Sequence, residues 1–202
     1  MTLPPDPAVR GFLPDEEGRY LHQLALEGTR LGPALEIGSY CGRSTLWLAD
    51  AARQNNSVVF AVDHHRGSEE HQPGEFFHDA ELTDDQGRFD SLPEFRRNIQ
   101  SSGLADAVIP VITSASVLAN YWQSPLGLLF IDGGHSLAAA LADYRGWAQH
   151  VAKGAILAIH DVYPNADAGG QAPFTIWQMA DQSGLFEAIG QCGSLRALRR
   201  LG

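Results

Sequence analysis

Side chains suited to chemistry stand directly after short apolar runs at several places in this sequence. "EIGSYCG", residues 36–42, joins a carboxylate to small residues and two glycines. Asp63, His64 and His65 follow "VVFAV", and Ser114 to Ser116 come just after "AVIPVI". Asp132 to His135 follow "LGLLFI", and His160 and Asp161 follow "GAILAI". Gly38 and Gly42 let a backbone approach a ligand and turn sharply into a helix. The start of that helix favours a carboxylate or phosphate. Asp63 is placed to accept hydrogen bonds from ribose hydroxyls. "GSYCG" lacks the middle glycine that lets a pyrophosphate approach, so the dinucleotide fingerprint is not met. The ligand expected is a nucleoside carrying a carboxylate rather than a dinucleotide.

Asp132, His160 and Asp161 suggest a second chemistry. Two carboxylates and an imidazole can hold a divalent cation, or His160 can act alone as a base; either would help remove a proton from an oxygen. Hard cations prefer oxygen ligands, so a histidine in the set favours manganese, iron or zinc over magnesium. The plainer alternative is that Asp132 and Asp161 only finish turns.

The stretch 64–91 is long and polar and holds His64, His65, His71 and His78 among Glu69, Glu70, Glu75 and Asp79. A loop of that length is expected to be either a lid, anchored by Phe76 and Phe77, or a solvated acidic surface. Its spacing matches no metal motif. "VYPNADAGGQAPF" reads as a rim loop after Asp161. Trp122, Trp147 and Trp177 read as packing residues. Cys41 does too, since no His or Lys is placed by sequence to activate it.

The elements that must position these residues alternate. Strands are expected at 34–38, 57–65, 107–112, 126–134 and 154–162. Helices are expected at 14–28, 44–54, 91–103, 116–122, 137–151 and 172–184, and a closing hairpin at 185–201. Continuous apolar strands between helices predict an α/β fold, a doubly wound parallel sheet covered on both faces. Ligands bind outside the carboxyl ends of such strands, where Glu36 to Gly42, Asp63 to His65, Ser114 to Ser116, Asp132 to His135, and His160 with Asp161 all fall. Residues 1–13 read as a tail or strap and 14–202 as one domain.

"LEIGSYCGRSTLWLA", "VVFAVDHH", "LLFIDGGHSLAAALADY" and "KGAILAIHDV", in this order, resemble the class I S-adenosylmethionine-dependent methyltransferases. They are most similar to a bacterial branch with an "IDGxH…HD" signature. The resemblance covers about residues 30–163. It implies a seven-stranded, mostly parallel, Rossmann-like sheet with a final antiparallel strand at "SLRALRRL". It implies that Glu36, Gly38, Ser39 and Gly42 line the methionine moiety of S-adenosyl-L-methionine, with Tyr40 and Ser44 in the same turn. Asp63 would bind the ribose beside His64. Ala115 and Ser116 would lie beside the adenine, where many relatives have an acidic residue. Asp132, His135, His160 and Asp161 would serve catalysis. Asp132, His160 and Asp161 resemble the metal set of catechol-type O-methyltransferases, with His160 a departure.

The implied activity is methyl transfer to a small-molecule acceptor, with oxygen favoured. The alternatives are an NAD(P)- or nucleotide-linked enzyme and a non-catalytic cofactor-binding module. A net charge of −10 argues against nucleic acid as the main partner. No apolar run is long enough to span a bilayer. "MTLPPDPAVRG" lacks the pattern of a signal peptide, and two cysteines that form no CxxC or zinc pattern suit a reducing compartment, so a cytoplasmic location is expected. A homodimer is compatible with all of this.

Overall fold

A computed structural model describes residues 5–68, 79–134 and 136–202. Among these, strands β1 (Ala34–Ile37), β2 (Val59–Val62), β3 (Val108–Val111), β4 (Leu126–Ile131), β5 (Val151–Ile159), β6 (Phe186–Cys192) and β7 (Leu195–Arg200) form one sheet. The order is β3-β2-β1-β4-β5-β7-β6. Strands β1 to β5 pair in parallel, while β7 runs antiparallel to both β5 and β6. The helices are α1 (Asp15–Gly28), α2 (Arg43–Gln54), α3 (Leu92–Ser102), α4 (Ala115–Ala119), α5 (Leu137–Trp147) and α6 (Ala172–Gln182). The order of the strands reverses between β1 and β4, which opens a crevice at their carboxyl ends.

β1 and β4 are buried at every position. That is why they read as unbroken apolar runs, with Glu36 the exception. Successive residues alternate between two layers. Ala34, Val59, Leu128, Phe130, Ile156 and Ala158 face α1 and α2. Leu35, Ile37, Leu129, Ile131, Leu157 and Ile159 face α5 and α6. Helix α1 lies close against the sheet: a Cβ at Gly28 would come within 2.4 Å of the Gly127 carbonyl oxygen. Its other end packs on α2, where a Cβ at Gly18 would meet the Trp47 ring. These two close approaches carry the first turn of α1 to the carboxyl end of the sheet.

Several boundaries differ from the sequence expectation. Helix α5 stops at Trp147, and β5 begins at Val151, before the expected 154. Gly154 sits within the strand at φ +78°, so it bends an element it was expected to start. β4 stops at Ile131, because the Asp-Gly-Gly that follows turns away. Of the long stretch, 69–78 lies outside the described residues. Its end is tied down by a bridge between Thr83 and Phe89.

Candidate active site

A cavity of about 590 Å³ opens at the carboxyl ends of the strands, within the range of small-molecule sites. One half is made by consecutive turns of the chain. β1 ends at Ile37, and Gly38 follows at φ +89°. A Cβ there would lie 2.1 Å from the Asp132 carbonyl oxygen, so only glycine lets the turn pass β4. Tyr40 takes φ +46°, strained for a residue with a side chain. Its N–H thereby donates to Asp63 Oδ2 at 2.9 Å, and the N–H of His65 donates to Asp63 Oδ1 at 2.7 Å. Two backbone donors thus fix Asp63 on the wall, and each oxygen keeps capacity to accept from a ligand.

The structure places Gly38, Ser39, Tyr40, Ser44, Asp63, His64, Ala115, Ser116, Asp132 and Asp161 on this one cavity. It does not place Glu36, Gly42 or His160 there. Glu36 is fully buried behind the turn and accepts from the Thr45 hydroxyl. Burial pushes its pKa up to about 8, against the hydrogen bonds from Ser44 and Thr45 that lower it. A Cβ at Gly42 would face Phe95 and Ile99 rather than the cavity. Both lay in the expected methionine lining; each supports that turn from behind. His65 is buried with Nδ1 on Ser91 Oγ at 2.9 Å, a packing position. His135, His71, His78, Glu69, Glu70, Glu75, Phe76 and Phe77 lie outside the described residues. Cys41 packs with Leu82 and Phe89, and burial pushes its thiol up to about 12, as fits an inert residue.

The other half is assembled from distant pieces. Asp132 directly follows β4, and Asp161 comes just after β5 at φ +55°. The Tyr163 hydroxyl donates to Asp161 Oδ1 at 3.3 Å. Residues 9–13 cross over the start of α2, held by Arg43, which donates to the carbonyls of Val9 and Leu13 and pairs with Asp15. Arg10 pairs with Asp79 and Glu81. The strap thereby sets Phe12 against Tyr40, with ring centroids 5.6 Å apart, and Tyr40 stacks on Phe89 at 6.2 Å. All three line the cavity and give it an aromatic wall.

His160 stands behind Asp132 and Asp161, with both ring nitrogens engaged. Nδ1 bonds Asp132 Oδ1 at 2.9 Å and lies 3.6 Å from Asp161 Oδ2. Nε2 bonds Glu17 Oε2 at 2.7 Å. Glu17 is itself held by the Ser194 N–H at 2.7 Å, and a Cβ at Gly193 would collide with it. Burial works against a charged ring here, but Asp132, Glu17 and Asp161 outweigh it and push His160 up to about 11. Glu17 shifts the other way: burial raises its pKa, yet His160 and Ser194 bring it below its ordinary value. Both ring nitrogens of His160 are thus engaged, and the surrounding carboxylates favour its charged form. One ligand atom from each of Asp132, His160 and Asp161 nevertheless falls within 4.8 Å of the other two.

Sequence reasoning missed Glu17, Phe12, Tyr163 and Asp143 on or behind this cavity. Glu17 carried a weak signal, an acid in a first helical turn. Among the described residues no helix is long and apolar enough to cross a membrane.

A family model described as a methyltransferase domain matches residues 35–162. Solved structures share the fold. The cofactor-bound Rv0187 from MTB is 21% identical with a TM-score of 0.66, covering 96% of this chain and 83% of that one. The O-methyltransferase TomG from Streptomyces achromogenes, solved with SAM, is 17% identical at 0.66, covering 97% and 83%. The O-methyltransferase NovP is 16% identical at 0.69, covering 93% and 81%.

Proposed function

The chain belongs to the methyltransferase-domain family, a class I S-adenosylmethionine-dependent methyltransferase, and we propose from that premise that it methylates an oxygen of a small molecule. The observation that carries the reading is the meeting of two sets in one cavity. Asp63 and the Gly38 turn suit a nucleoside with an amino-acid arm, and Asp132 and Asp161 line the same cavity.

In the proposed step the acceptor oxygen attacks the methyl carbon in line with the carbon–sulfur bond. That bond's electron pair returns to sulfur, leaving neutral S-adenosylhomocysteine. The hydroxyl proton passes to the Asp161 carboxylate and on to solvent. Positioning supplies much of the acceleration. The aromatic wall of Phe12, Tyr40 and Phe89 holds a flat or apolar acceptor, and Tyr163 orients Asp161.

Asp132, Asp161 and His160 Nδ1 also fit a divalent cation. Their donor atoms converge, and Glu17 holds the far ring nitrogen as an outer carboxylate does behind a metal-bound histidine. Such an ion would lower the pKa of the acceptor hydroxyl.

Calorimetry with S-adenosylhomocysteine and NAD tests the cofactor. S-adenosylhomocysteine should bind, and Asp63→Ala should weaken it by about 1.5–3 kcal/mol, the loss of a charge-assisted hydrogen bond. Binding of NAD instead would overturn the reading.

A further inference from the structure

Beyond Asp63 the cavity continues as a slot between the end of β3 and the start of α5. Thr113, Ser114 and Ala115 form one side; Gly133, Gly134 and Ala139 form the other. Such small side chains leave room for a flat ring. One carboxyl group stands on this wall, Asp143 of α5, which is only 7% exposed yet lines the cavity. Among the described residues no donor within hydrogen-bond distance faces it. Burial pushes its pKa up to about 7, with no compensating partner. Gly133 keeps the group open to the slot, since a Cβ there would lie 2.9 Å from Asp143 Oδ2. Its oxygens meet the open cavity rather than a protein donor, so the group is available to accept a hydrogen bond from a ligand there.

A cofactor whose ribose sits on Asp63 and whose amino-acid arm sits at the Gly38 turn has this slot left for its base. The end of β3, Thr113 to Ser116, offers hydroxyls and a methyl group but no carboxylate. We propose that Asp143 accepts a hydrogen bond from the exocyclic amine of adenine and makes the site select adenine over hypoxanthine. The inference rests on the proposed cofactor reading. A carboxyl group accepts from an amine N–H in either protonation state, so the contact needs no particular charge.

The test is calorimetry on the full chain with S-adenosylhomocysteine and S-inosylhomocysteine, which carries a carbonyl oxygen where adenine has its amine. The unaltered protein should prefer the adenine compound by at least about tenfold, the scale of one hydrogen bond to a buried carboxyl group. Asp143→Ala should bring the two within about twofold, mainly by weakening the adenine compound. Asp143→Asn keeps a carbonyl acceptor and the shape, and should retain part of the preference. Equal affinities in the unaltered protein, or a preference that survives Asp143→Ala, would overturn the assignment while leaving the cofactor reading intact. That first arm decides the matter even if Asp143→Ala does not fold. Failure of S-adenosylhomocysteine to bind at all would remove the cofactor reading and this inference with it.

Discussion

The two halves of the cavity are built in opposite ways. The proposed cofactor half comes from neighbouring turns, Gly38 to Ser44 and Asp63 to His65, where two main-chain N–H groups hold one aspartate. The proposed acceptor half draws on residues 9–13, the first turn of α1, the ends of β4 and β5, and Tyr163. It works through side chains that reach one another across the fold: Glu17 and His160 are 143 positions apart. A site made of main-chain turns is set by local geometry and tolerates change around it. A site made of distant side chains depends on how helices and straps dock, and each contact in it can be removed separately.

The sharpest separation of the halves should come from Asp161→Asn. It keeps the shape and removes the charge, so turnover should fall by roughly 10²–10⁴, the usual scale for an acid–base group. Affinity for S-adenosylhomocysteine should stay within about threefold. Steady-state rates and calorimetry on the same preparation check this; a matching loss in both would erase the distinction.

Glu17→Ala should give the next largest effect, and on stability. It leaves buried His160 with one of its two nitrogen partners gone, and breaking such a pair costs about 3–5 kcal/mol. Denaturant unfolding should show it as a lower midpoint. Glu17→Gln keeps an acceptor oxygen and should recover much of the loss. A midpoint unchanged in Glu17→Ala would mean that α1 contributes nothing to the acceptor half.

Phe12→Ala takes one ring from the aromatic wall and leaves Tyr40 stacked on Phe89. It should cost about 1 kcal/mol in acceptor binding, read as a several-fold rise in acceptor KM at nearly constant kcat. An equal effect on cofactor affinity would show that the strap serves both halves.

The last effect concerns Glu36, behind the cofactor turn. Its pKa is raised from 4.5 to about 8 by burial. The folded state then binds more protons than the unfolded one between those values, so this group lowers stability as pH rises from 4.5 through 8. Above that window its contribution is flat. Thermal unfolding followed across pH should show the decline, and Glu36→Gln should reduce its slope. No change of slope would place the titration elsewhere.

The same contrast explains what the sequence made legible. The alternating strands and helices, the sheet and the turn after β1 were readable because each rests on a local pattern. So was Asp63, since strand ends in a parallel sheet meet at one edge. The meeting of Asp132, His160 and Asp161 followed from the same rule. The role of His160 did not. Its second nitrogen is taken by Glu17, an acid that local reasoning assigns to the helix dipole. Only the docking of α1, through Gly18 on Trp47 and Gly28 on Gly127, brings it there. Phe12 was hidden for a similar reason, because nothing near it in the chain shows that Arg43 would hold the strap down. Asp143 was not singled out, because nothing in its own helix shows that the glycine at 133 leaves it open to the cavity.

The central claim is that methyl transfer occurs to oxygen where these halves meet. The direct measurement supplies S-adenosylmethionine carrying an isotope-labelled methyl group, offers hydroxylated and aminated acceptors as a mixture, and reads the labelled product by NMR. The account predicts label on an acceptor oxygen, S-adenosylhomocysteine formed in equal amount, and both lost in Asp161→Asn. Label on nitrogen or carbon, or full turnover in that variant, would contradict it.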